Sequence, residues 1–139
     1  MKNLIVLTFV ILSAFMSLHA QNIAGTYTMK FKGKEVFLDR TPVENAIAGS
    51  TTFTIAQTGD EITVTMSGFQ SEWSAHIMKG RVGNNRFVAV LANSNKSVYM
   101  IQGTVNGNTL SGNYAYVRYG DSSSGIVPGW HNIDYIATK

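Results

Sequence analysis

Strict alternation of apolar and polar residues, repeated along the chain and punctuated by tight Gly/Asn turns, most limits how this sequence can fold. Ile23, Gly25, Tyr27, Met29 and Phe31 alternate with Ala24, Thr26, Thr28, Lys30 and Lys32. A period of two with one mostly polar set describes a strand with one face turned inward. Phe53 and Ile55, beside Thr52 and Thr54, form a second run. Ile62, Val64 and Met66, beside Thr63 and Thr65, form a third. Trp73 to Val82, Arg86 to Ala92, Ser97 to Val105, Leu110 to Tyr119 and Asn132 to Thr138 bring the count to eight. β-Branched and aromatic residues fill these runs, as half-buried strands require. The pattern predicts that Ile23, Tyr27, Met29, Phe53, Ile55, Ile62, Val64, Met66 and Leu110 point inward.

The turns decide how the runs connect. Thr58-Gly59-Asp60, Gly83-Asn84-Asn85 and Asn106-Gly107-Asn108 each separate two runs tightly. Gly and Asn supply the positive φ angles that short hairpins need. Eight consecutive antiparallel strands in an open sheet would leave bare edges, and closure removes them. The expected fold is therefore all-β, a single eight-stranded antiparallel up-and-down β-barrel. Connections in such a barrel alternate between its ends. The three tight turns then share one end, and Gly33–Ser50, Ser67–Ser71, Asn93–Lys96 and Gly120–His131 share the other. Within the first of these, Thr41-Pro42-Val43-Glu44 reads as a capping box with Pro at the first helical position, and Gly49 can end the helix. A short helix is expected in that first long loop.

The N-terminus reads as a targeting segment. One basic residue, Lys2, precedes an apolar run from Leu4 to Met16, and Ser17-Leu18-His19-Ala20 follows. This is the pattern of a secretory signal peptide, with cleavage expected after Ala20. The run is shorter than the roughly 20 residues a membrane-spanning helix needs. Residues 1–20 are then a cleaved signal and 21–139 a single barrel domain, exported to the periplasm or beyond. The chain has no cysteine, which excludes disulfides, thiolate metal sites and cysteine catalysis. A net charge of +3 is too small and dispersed for nucleic-acid binding. Thr and Lys opposite the apolar face argue against a membrane-spanning barrel, whose outer band is apolar.

Gly25-Thr26-Tyr27 at the start of strand one, the eight runs and the long first loop resemble the calycin superfamily. Lipocalins begin with Gly-x-Trp and avidin-type barrels with Gly-Thr-Trp; Tyr27 stands where those families carry Trp. Asp134 in the last strand is similar to an avidin-type aspartate. The resemblance implies a small secreted bacterial barrel, lipocalin-like, with a ligand at its open end. Fold alone does not say which ligand.

Chemistry-bearing residues are few. The barrel segment holds two histidines, His76 and His131, without metal-ligand spacing. There is no nucleophile elbow, phosphate loop or paired-carboxylate signal. No enzyme activity, metal or cofactor is expected. Binding is expected at the end carrying the long loops, because loops on a rigid scaffold carry function. Arg40, Phe69, Trp130 and His131 fall at that end, with Tyr27 and Trp73 in strands. Together they suit a small, mainly apolar ligand, Arg40 fixing an anionic head or pairing with Asp39. The alternative is a non-enzymatic interaction or inhibitor module acting through the long loops.

Overall fold

The structure, a computed structural model, describes residues 21–38, 43–66, 76–93, 97–120 and 128–139. They form eight strands: β1 Gly25–Phe37, β2 Val43–Thr58, β3 Glu61–Met66, β4 His76–Gly83, β5 Arg86–Asn93, β6 Ser97–Asn106, β7 Thr109–Arg118 and β8 Gly129–Thr138. Each pairs antiparallel with the next, and β8 returns to β1, closing the barrel. The closed eight-stranded antiparallel architecture is compatible with a calycin-like fold.

The tight turns behave as their residues dictate. Asn84 and Asn85 both have positive φ, at 50° and 57°, the signature of a type I′ hairpin. Each turn also passes a carbonyl to a later strand. Asp60 O accepts from the Val82 amide at 2.8 Å, Asn85 O from Val105 at 2.8 Å, and Asn108 O from Lys139 at 3.2 Å. The segment before β1 covers the same end. Ile23 is fully buried, its amide donates to Gln57 Oε1 at 2.8 Å, and its carbonyl accepts from the Tyr27 hydroxyl at 2.9 Å. This end of the barrel is stoppered.

Alternation sorts the side chains as expected. Ile23, Tyr27, Met29, Phe53, Ile55, Ile62, Val64, Met66 and Leu110 are all buried. Tyr27 stacks on Phe53 with ring centroids 5.4 Å apart, and Tyr135 meets Phe53 edge-on at 6.4 Å. Tyr135 donates its hydroxyl to Gln102 O at 3.1 Å and lies where a side chain on Gly103 would be, 2.8 Å from a Cβ placed there. Glycine at Gly103 leaves the space that the tyrosine fills.

Two expectations are corrected. The first long loop and its helix give way to strand: Gly33–Phe37 pairs with Ile47–Val43, and no helix occurs among the described residues. Thr41 and Pro42 lie outside them. A helix of one or two turns gains few internal hydrogen bonds against its nucleation cost, whereas the extended chain gains a full ladder. Gly49, read as a helix terminator, sits under the Phe31 ring, 2.8 Å from where its Cβ would be. In β-sheets such a ring covers the backbone that glycine leaves bare. The second correction concerns the last loop, because β8 starts at Gly129 and makes Trp130 and His131 strand residues.

Truncating Phe53 to Ala should lower unfolding stability by about 3–5 kcal/mol, since it empties the middle of the aromatic stack. Thr54→Ala, one residue on and facing out, should change it by less than about 0.5 kcal/mol. Chemical denaturation of the two variants checks the register, which a reversed order of costs would contradict.

Candidate functional site

The interior changes character toward the loop end. Strand register puts one inward residue from each of five strands in a single lateral row. Glu35 on β1 faces His131 on β8, His131 faces Tyr116 on β7, Tyr116 faces Tyr99 on β6, and Tyr99 faces Leu91 on β5. Tyr99 and Tyr116 rings lie 4.7 Å apart, and Tyr116 meets His131 edge-on at 5.0 Å. His76, from β4, stacks on Tyr99 at 4.1 Å. Glu35, His76, Tyr99, Tyr116 and His131 are all buried. The adjacent inward row toward the tight turns contains Ile133, Tyr114, Ile101 and Ala89, which is almost wholly apolar.

The centre of this polar row is a buried imidazole–carboxylate hydrogen bond. His131 Nε2 donates to Glu35 Oε1 at 2.7 Å, with both side chains nearly inaccessible. Burial holds the His131 imidazole below its ordinary value, against the upward pull of Glu35, and the nearby Arg118 guanidinium pushes the same way as burial. Burial also lowers His76. The Tyr99 phenol is pushed up to about 12, first by burial and then by Tyr116. Near neutral pH Tyr99 is therefore a hydroxyl donor, and burial disfavours charge on both imidazoles. Arg118 sits one inward position nearer the rim, half-buried, with its guanidinium 6.0 Å from the Phe37 ring centroid. This arrangement can hydrogen-bond a polar group presented from the loop end and give it a cation nearby.

Of the residues expected from sequence, His131, Trp130 and Tyr27 are among the described residues, and these three stand apart. His131 is in the polar row. Trp130, its chain neighbour, points outward and is 37 % exposed, because adjacent strand residues face opposite sides. Tyr27 is buried in the stoppered end, away from the row. Arg40, Phe69 and Trp73 lie outside the described residues. Among the described residues, Arg118 places a cation near the rim. Glu35, Tyr99 and Arg118 were missed. Glu35 shares parity with Tyr27, Met29 and Phe31, so continuing the alternation past Gly33 points this carboxylate inward.

A groove of about 890 Å³ also lies on the outer wall near the tight turns, lined by Arg81, Arg86, Gln102, Asn113 and Asp134 among others. It is open, and none of those five side chains is buried. Among the described residues no group of three His, Asp or Glu could hold a metal ion, and no helix is long and apolar enough to cross a membrane. Comparison with family models, curated proteins and solved structures finds no match for this chain.

The Glu35–His131 pair generates a sharp energetic expectation. His131→Leu leaves a buried carboxylate without its hydrogen-bond donor and should cost about 1–3 kcal/mol. Glu35→Leu with His131→Leu removes both polar groups and should cost clearly less than the single change. A double-mutant cycle by denaturation measures this coupling, and additive costs would show the pair to be energetically separate. The pH response follows from the imidazoles. Because folding depresses them below about 6.5, the unfolded chain binds more protons than the folded one as pH falls through that value. Stability is full above it and declines below it. The melting temperature should drop between about pH 7.5 and about pH 5.5, and drop less in His76→Phe, which keeps a ring on Tyr99.

Proposed function

We propose that this protein is an exported, lipocalin-like barrel that holds a small, mainly apolar molecule through its loop end. The signal-like N-terminus supports export. The observation that carries the ligand reading is the buried polar row above an apolar interior. Sealing Glu35, His131, Tyr116, Tyr99 and His76 inside a barrel costs desolvation that a purely structural core would avoid with apolar residues. A ligand with an apolar body and one or two polar atoms makes use of that arrangement: the body meets Leu91 and the apolar rows, and the polar atoms meet the phenols or Arg118. Ligand sites generally combine such an apolar lining with a few placed polar groups. The reading is of a binding site, with the tyrosine hydroxyls as donors and the Glu35–His131 pair as the fixed support of Tyr116.

Native mass spectrometry of protein purified from its host tests this directly, through a retained small molecule. With fluorescent apolar probes carrying a carbonyl or acid group, Tyr116→Phe should weaken binding roughly tenfold, the loss of about one hydrogen bond, without changing the melting temperature greatly. Equal affinity of Tyr116→Phe, Tyr99→Phe and the wild type for every bound probe would remove the polar row from the site.

A further inference from the structure

The outer wall of the barrel is chemically two-sided. On β1, β2 and β3 the outward positions include Thr26, Thr28, Lys30, Lys32, Lys34, Thr52, Thr54, Thr63 and Thr65. On β5 to β8 the outward positions nearest the loop end are apolar. Register joins Trp130, Val117, Val98 and Ala92 into one lateral row across β8 to β5, and Val36 of β1, at the end of that row, is buried. Ala115, Met100 and Val90 form the next row down on β7, β6 and β5. Toward the rim, Leu38 and Tyr119 extend the face at 48 % and 60 % exposure. Val117 and Val90 are each 41 % exposed.

We propose that this face docks on the surface of an anionic lipid bilayer. Two observations select that occupant. The face's aromatic members, Trp130 and Tyr119, are at the loop-end rim, and amphipathic rings of this kind settle at the boundary between headgroups and acyl chains. Lysines stand at both flanks. Lys32 and Lys34 follow on the β1 side, and Lys79, directly beside Val90, bounds the β4 side. Lys34 also reaches Glu44, and Asp134 faces Lys32 across the β1–β8 ladder, so the border is mixed near β1 and basic near β4. The polar outward faces of β1 to β3 keep that side of the wall in water and make this a peripheral contact. The docking face is on the outside of the wall and does not rest on whether the interior binds a ligand.

Flotation of the purified protein with phosphatidylcholine vesicles, with and without phosphatidylglycerol, tests the proposal. The wild type should float with the anionic vesicles, its tryptophan emission should shift to the blue, and added salt should release it. Trp130→Phe should still float but lose most of the blue shift. Trp130→Ser with Val117→Ser should lose at least tenfold in partitioning. Lys32→Gln and Lys79→Gln should each cost roughly fivefold on anionic vesicles only. All these side chains face outward, so melting temperatures should stay close to wild type and confirm folded variants. Failure of the wild type to float at low salt would overturn the proposal, as would flotation unaffected by the Ser variant. A concentration-dependent doubling of mass in sedimentation, abolished by Trp130→Ser, would assign the face to a second copy instead.

Discussion

The β1–β8 ladder is the constraint on which the rest of this molecule depends. It closes the barrel, and without it both strands would be open edges able to pair with other chains. It also carries the chemistry, because the same register that sets Met29 against Ala137 sets Glu35 against His131. A slip of one residue would send His131 to solvent and Trp130 to the lumen. Closure and site assembly are therefore one event. The long β1, extended through Phe37, makes this possible: a strand ending at Gly33 would close the barrel but leave His131 without its carboxylate.

Inside, the barrel is graded along its axis. The tight-turn end is filled by Tyr27, Phe53, Tyr135 and Phe87, and is stoppered by Ile23. Bulky rings there make a packed floor, which an eight-stranded barrel is just wide enough to hold. Toward the loop end the same inward positions become polar. Aromatic rings still fill space in that row, but each brings a hydroxyl or a ring nitrogen that must be hydrogen-bonded. Packing and polarity are thus supplied by the same residues, as in His76, whose ring stacks on Tyr99.

Outside, the two halves of the wall differ in the same way that the two ends of the interior do. Thr and Lys cover β1 to β3, while valines, Met100 and Trp130 cover the loop-end half of β5 to β8. The apolar outer face and the polar inner row occupy the same end. Both features reach the rim near Phe37, Arg118 and Tyr119.

The sequence by itself determined what depends on neighbours along the chain. Alternation assigned Ile23, Tyr27, Met29, Phe53 and Val64 to the interior, and Gly/Asn pairs placed the tight turns, because side-chain direction and turn φ angles are local properties. Eight strands, and the pressure to hide their edges, together imply a closed barrel. Local signals failed where a distant strand competed with them. The Thr41–Glu44 capping box pointed to a helix, yet Val43 onward is drawn into the ladder with β1 by hydrogen bonds that no local pattern displays. Trp130 and His131 looked like one loop cluster, and only the tertiary start of β8 at Gly129 sent them to opposite faces. The polar row was the least legible element. Glu35, Tyr99 and His131 come from three separate strands and become neighbours only when the sheet closes on itself, so their meeting is a property of the barrel.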